Sequence, residues 1–333
     1  MPGNLIPPGL TYIADNIQTK DNILGTSKSK GAGWAKGLNL PRDAETIFFA
    51  GCGYQYSHDL ESLMSLLRKI DRSAVNTEFA VGMAGFTRKL GVDAAGIFNK
   101  LVSRGSSEDQ PLRDAVKVLI SLGIKLGYLA EEEPCCGGLL YFAGMHQQFA
   151  ERSRAVMQRL QVKDVKEIIS IVPSCTYTLR TLIPQFTGGK QIPVRHFCEV
   201  IAGKIPDLKL TYPRKVKVTY HDPCQLVRYL GLIEEPRRIL KSISGIEYVE
   251  PKWTSGTMAT CCGGGGGFEV VFPELSLTLA KNRAKELADT GAEIIVTHCP
   301  GCIMQLEAGL KELKIDNIEV LDLSQVVARA MGL

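Results

Sequence analysis

The sequence predicts an α/β protein made of two copies of one parallel-sheet unit. Short β-rich runs alternate with helical stretches along the chain, the pattern of a parallel sheet with crossover helices. Cysteines follow several of those runs, at Cys52, Cys175, Cys224 and Cys299. The order strand, Cys, helix, Cys-Cys-Gly, helix, strand, Cys, helix also occurs twice, and repetition on this scale marks duplicated domains.

Residues 1–40 hold no cysteine and little periodic pattern, with Pro2, Pro7, Pro8 and a Lys/Ser/Gly stretch over 27–33; they read as a partly ordered arm. Thr46–Ala50 is a buried strand ending at Gly51-Cys52-Gly53, where ligands of open α/β sheets collect. His58–Ile70 is a helix with Leu60, Leu63, Leu66 and Leu67 on one face. Residues 73–110 are Gly-rich and read as an insertion. Leu112–Leu126 is a helix stopped by Gly127. Cys135-Cys136-Gly137 precedes a long helix over Leu139–Leu160, and Glu167–Val172 is a strand closed by Pro173-Ser174-Cys175. Val194–Ile201 is helical and contains Cys198, read as a core thiol.

Pro213-Arg214-Lys215 reads as the linker between the copies. Val216–Tyr220 is the next strand and leads to His221-Asp222-Pro223-Cys224. Glu234–Ile243 is a helix and Ile246–Val249 a strand. Leu275–Ala288 is a helix with Leu277, Ala280, Ala284 and Leu287 on one face and Gly291 as its stop. Glu293–Thr297 feeds Cys299, Ile303–Leu313 is helical, and Ile318–Leu323 with Val326–Met331 closes the chain. The division is thus an arm (1–44), a first domain (45–212) and a second (213–333).

Hydrophobic residues at 45% and charged residues at 22% are ordinary for a globular chain of 333 residues, long enough for two cores. A net charge of +4 without dense Lys/Arg blocks argues against nucleic acid. No apolar run is long enough to span a bilayer and no signal peptide is evident, so a cytoplasmic location and reduced cysteines are expected. Gly263–Gly267 lacks the Lys-Ser/Thr of a phosphate loop; these glycines suit close backbone approach to a bound group.

The second copy carries Cys224, Cys261, Cys262, Cys299 and Cys302, with 36 residues between Cys224 and Cys261 and 36 between Cys262 and Cys299. Such spacing in a reducing compartment points to metal chemistry rather than disulfides. Soft thiolates suit iron–sulfur clusters, and five exceed the need of an ordinary cubane. Adjacent cysteines reach neighbouring irons more easily than one ion. The first copy keeps Cys52, Cys135, Cys136 and Cys175, with Val172 standing where Cys299 stands. His221, Arg228 and His298 flank the second set, and Glu133 and His146 the first; hydrogen bonding to sulfur, proton donation and simple folding roles are all open for them.

Cys224, Cys261-Cys262-Gly263 and Cys299-Pro300-Gly301-Cys302, with His221-Asp222-Pro223-Cys224 and Arg228, resemble the CCG (cysteine-rich) domain family, typified by the B-type and D-type chains of heterodisulfide reductases. The likeness runs from about Thr46 to the C-terminus, complete in the second motif and partial in the first. It implies two duplicated CCG domains with parallel-sheet, Rossmann-like cores related by a pseudo-twofold. It further implies a non-cubane [4Fe-4S] cluster on Cys224, Cys261, Cys262, Cys299 and Cys302, with Cys261, Cys262, His221 and Arg228 as its catalytic residues. For Cys52, Cys135, Cys136 and Cys175 an altered iron–sulfur cluster, zinc or no metal remains open. The expected activity is disulfide/thiol redox chemistry within a multisubunit complex. The alternatives are an electron relay in a hydroxy-acid or flavoprotein-linked oxidoreductase and a zinc-binding scaffold. The sequence lacks the ferredoxin-type CxxCxxCxxxCP run of D-type relatives. A ferredoxin-like (C-type) iron–sulfur subunit and a flavin subunit are therefore the expected partners, with the N-terminal arm as a dock.

Overall fold

The computed structural model describes residues 6–71, 109–188 and 191–333. The insertion expected over 73–110 lies almost wholly outside them. Among the described residues seven strands form two all-parallel sheets. The first sheet holds β1 (Thr46–Phe49), β2 (Glu167–Ser170) and β3 (Val194–His196), in that order. The second holds β4 (Thr211–Tyr220), β5 (Ser244–Val249), β6 (Ile294–Thr297) and β7 (Glu319–Asp322), in the order β5-β4-β6-β7. Among the described residues no helix is long and apolar enough to cross a membrane.

The two sheets repeat one topology. A single parallel bridge from Ile47 to Gly127 occupies the edge of the first sheet where β5 lies in the second. Phe48 N donates to Gly127 O (2.8 Å) and Gly127 N to Thr46 O (2.9 Å). Gly127 is thus a vestigial strand, not the stop of a helix. The helix before it is shorter than expected, Gln110–Ser121, and ends ahead of Gly123 in the left-handed region (φ 77°). Within each sheet the chain first steps to one side, then crosses to the other. The point of reversal lies between β4 and β6, and between β1 and β2. Ligands of doubly wound folds bind beyond the strand ends at such a point.

Other departures have local causes. The helix expected over 139–160 is two helices, Gly138–Phe142 and His146–Val162, broken at Gly144 (φ 76°). Val194–Ile201, expected as helix, is β3 followed by a helix at Phe197–Lys204, with His196 and Glu199 forming a capping box at the junction. Pro213-Arg214-Lys215, expected as a linker, lies inside β4. Pro213 is tolerated there because β4 pairs with β6 only from Val218 to Tyr220, and the β5 register shifts between Thr211 and Val216.

The arm is also folded. Helices Pro8–Lys20 and Lys28–Ala32 pack on the body, and the segment buries Ile13, Ala14, Ile17 and Trp34 in the main core. Trp34 Nε1 donates to Tyr128 Oη at 3.0 Å. One core runs through both halves: the helix Gln110–Ser121 of the first packs on the helix Leu323–Met331 of the second. Ser324 Oγ donates to Pro111 O across that contact (2.9 Å).

Candidate metal centre in the cleft between the repeats

Both reversal points open into one cleft of about 470 Å³. Cys52, Cys135, Cys136 and Cys175 line it from one half, and Cys224, Cys262, Cys299 and Cys302 from the other. Cys261 is exposed beside it.

The same devices place the sulfurs in each half. Cys52 and Cys224 follow the first strand of their sheets. Pro173 and Pro300 occupy the first turn of helices that start straight after β2 and β6, and this presents Cys175 and Cys302 on the opening turn. Cys299 is the N-cap residue of its helix; Val172 has that place in the first half. The glycine of each Cys-Cys-Gly turn is in the left-handed region, Gly137 at φ 77° and Gly263 at φ 86°. A Cβ on Gly263 would stand 2.2 Å from Ser276 O, so the turn closes against the helix Pro273–Ala288 only with glycine.

In the second set Cys262 Sγ and Cys302 Sγ are 3.3 Å apart, and Gly263 N donates to Cys261 Sγ (3.3 Å). His221 joins them: its ring and the two sulfurs Cys262 and Cys302 offer ligand atoms within 4.8 Å of one another. Hydrogen bonds with Cys261 and Cys302 hold the Cys262 thiol well below the usual range despite burial, and His221 adds to this. The partner thiols rise accordingly: Cys302 is pushed well up through its bonds with Cys262 and Cys299. Burial, then the neighbouring Cys299 and Cys262, raises Cys224 to about 11. In the first set Cys136 Sγ and Cys175 Sγ are 3.3 Å apart. Cys52 bonds Cys135, which, with burial, drives Cys52 well above the usual range. The bond to Cys136 raises Cys135 to about 12.

The donor set fits a metal group. Eight thiols line the cleft, all at least half-buried, with Cys261 next to Cys262, and protons on so many clustered sulfurs are what a soft metal displaces. Five sulfurs in the second set exceed a tetrahedral zinc shell and suit a multi-iron cluster. Four in the first suit either.

His221 and Arg228 both flank this centre, in different ways. Buried Arg283 donates through Nε to His221 Nδ1 (3.0 Å), which leaves the other ring nitrogen to carry the proton toward the sulfurs. Arg228 lines the cleft, but its guanidinium is bound to Ala259 O (2.7 Å) and Thr257 O (3.2 Å), fixing the stretch of chain before Cys261. His298 points away, its Nδ1 bonded to Asp322 (2.9 Å). Glu133 accepts from Ala50 N (2.8 Å) and Gly51 N (2.9 Å), bracing the Cys52 turn; burial raises its carboxyl to about 7. His146 stacks on Tyr141 instead (5.0 Å, 24°).

Sequence reasoning missed Arg283, which sits mid-helix 62 positions from His221. It also missed Asp21, whose Oδ1 accepts from Cys135 N (2.9 Å) and which pairs with Arg152, Arg159 and Lys28. Neither lies near a cysteine in the chain, so no local signal marked them.

A family profile described as Cysteine-rich domain (CCG) matches residues 101–180 and 218–307, together just over half of the chain. The D-type chain of dihydromethanophenazine:CoB–CoM heterodisulfide reductase from Methanosarcina barkeri is 34% identical over 224 residues, 65% of this chain and 54% of that protein. The B-type chain of fumarate reductase (CoM/CoB) from Methanothermobacter marburgensis is 30% identical over 199 residues, covering 59% and 38%. EtfAB:quinone oxidoreductase from Syntrophomonas wolfei is 31% identical over 228 residues, covering 65% and 31%. The chain thus spans about half the length of the heterodisulfide reductase chain and less of the others. Among solved structures, a hypothetical protein from Helicobacter pylori shares the fold with a TM-score of 0.50 at 15% identity, over 67% of this chain and 46% of that one. The matched segments take in Cys135, Cys136 and Cys175 of the first repeat and Cys224, Cys261, Cys262, Cys299 and Cys302 of the second, with Cys52 ahead of them, and the chain belongs to the cysteine-rich (CCG) domain family.

Proposed function

We propose that this protein is an iron–sulfur subunit of an oxidoreductase complex that reduces or forms a disulfide in the cleft between its two repeats. The observation that carries the reading is that both cysteine sets open into one cleft of about 470 Å³. In this reading Cys224, Cys261, Cys262, Cys299 and Cys302 hold a non-cubane [4Fe-4S] cluster. Cys52, Cys135, Cys136 and Cys175 hold a second iron–sulfur group or zinc. A bound cluster supplies one-electron steps and an iron that accepts a substrate sulfur. The chain's own part is to bind and orient. Leu60, Leu63, Met64, Leu139, Phe142 and Val270 give the cleft an apolar lining that excludes water. His221, fixed by Arg283, holds a proton beside Cys262 and Cys302. Cleavage of a disulfide consumes two electrons and two protons. The electrons come from a ferredoxin-like subunit supplied in turn by a flavin subunit, in keeping with the heterodisulfide reductase relative being one chain of a larger enzyme.

A relay of electrons with no disulfide chemistry is the second reading. The quinone oxidoreductase relative favours it, since its name carries a different substrate. Anaerobically purified protein decides between them. Brown colour, about four irons per filled site, and a paramagnetic signal that appears when the oxidised protein meets a thiol support disulfide chemistry. Iron without such a signal for any thiol favours the relay. Protein that takes up zinc and no iron rejects both.

A further inference from the structure

Disulfide cleavage needs protons, and the cleft wall is mostly apolar. Among the described lining residues Glu269 is the one carboxylic acid. It stands on the short helix Phe268–Val271, at the end of the loop that starts with Gly263. One carboxyl oxygen, Oε2, accepts from Gly265 N at 2.9 Å, and this ties the side chain to the loop. The charged groups that act on it are Cys262 and Arg68, the latter on the helix Ser57–Asp71. Arg68 also donates to Gln305 Oε1 (3.1 Å). From the N-terminal helix, Leu10 closes on the Gly267 Cα. Burial raises the Glu269 carboxyl above the ordinary carboxylate range, against its own backbone amide, the Gly265 amide and Arg68, and negative charge at Cys262 adds to the rise. The upward direction favours the protonated form that a proton donor needs, and the place of the half-buried carboxyl on the cleft wall puts it where a substrate sulfur would lie.

We propose that Glu269 is the acid that protonates the departing substrate sulfur, an inference that rests on the disulfide reading above. The S–S bond of RSSR′ breaks as two electrons arrive from the iron–sulfur groups, replenished by a reduced one-electron donor. One sulfur leaves as a thiolate and takes the proton of Glu269, giving RSH and the Glu269 carboxylate. The second sulfur takes a proton from solvent at the cleft mouth, and a further solvent proton restores Glu269. The sum is RSSR′ + 2e⁻ + 2H⁺ → RSH + R′SH. In the opposite direction Glu269 is the base.

The test uses the iron-loaded protein with reduced methyl viologen as donor and dibutyl disulfide as the probe. Glu269→Gln keeps the acceptor for Gly265 N and removes the proton. Its kcat is expected to fall about tenfold or more, with iron content and paramagnetic spectrum as in wild type, while Glu269→Asp recovers part of the rate. An infrared difference spectrum of wild type against Glu269→Gln, which needs no turnover, should show the band of a protonated carboxyl. A Glu269→Gln rate within twofold of wild type, or a spectrum without that band, overturns the assignment and leaves the disulfide reading standing. If Glu269→Gln loses iron, the Glu269→Asp rate and the infrared band of wild type decide. A wild type that does not reduce the probe, while iron-loaded and reduced by viologen, overturns the disulfide reading itself.

Discussion

At the scale of single residues, the two halves differ at one sulfur position. Val172 is buried at the N-cap where Cys299 stands in the second half. Val172→Cys should give the first site a fifth thiol in matching backbone. The expected outcome is a first-site paramagnetic spectrum that moves toward that of the second, read at constant iron content. Cys262→Ala should remove about half of the bound iron if both sites carry clusters, with the remainder assigned to the first set by elemental analysis. The cysteine sets themselves are legible in the sequence because a metal site needs particular atoms, and cysteine is rare enough that its spacing stands out. Their supports are not. Arg283 is an ordinary helix residue until it is seen buried, donating to His221, to Thr254 O (2.9 Å) and to Glu286 (2.8 Å). Arg283→Met leaves His221 Nδ1 without its donor and should cost about 2–3 kcal/mol, the loss of hydrogen bonds from a buried charged group. Chemical denaturation reads it.

At the scale of elements, strands with buried runs and helices with one apolar face are legible in the sequence, since periodicity is a local property. Errors fall where glycine and proline are given their usual meaning. Gly127 is read as a helix stop, and it is a sheet bridge to Ile47, at a point where Pro41 O approaches too closely for any side chain. Pro213 is read as a linker, and it lies in β4 on a stretch that does not need its N–H on the β6 side. The N-terminal segment carries the largest correction. Its first helix leads to Asp21 in the left-handed region (φ 59°), which places a carboxylate on Cys135 N amid Arg152, Arg159 and Lys28. Asp21→Ala leaves Arg152, which is buried, without its carboxylate. A loss of about 3 kcal/mol is expected, with metal lost from the first set before the second. Thermal melts followed by iron release in each spectral signature measure this.

At the scale of the whole molecule, the cleft is held by contacts that cross between halves. Tyr54, two residues after Cys52, donates its hydroxyl to Asp322 of the second half, which also binds His298 Nδ1 and Ser324 N. Burial alone would raise the Asp322 carboxyl. The charge of His298 and the bonds from His298, Ser324 and Tyr54 outweigh it, so the group is held below its ordinary range. A depressed folded value means that the contribution to stability is present above the unfolded value of 3.8 and is lost as pH falls through the folded one. The stability difference between wild type and Asp322→Asn should therefore be largest near neutral pH and shrink in acid below about pH 4. Denaturant titrations at several pH values check this; a difference that grows on acidification contradicts it.

The sequence by itself determined the fold class, the duplication and the nine cysteines, because each is written in local spacing or in residue type. Only the tertiary structure decided which residues of the two halves line their shared cleft, that the first N-terminal helix belongs to its wall through Ile13, and that Glu269, Arg283 and Asp21 stand beside cysteine turns that local spacing does not connect them to. Strand order fixes where loop ends meet, and strand order depends on which strand pairs with which across the sheet, a relation that no stretch of sequence carries alone.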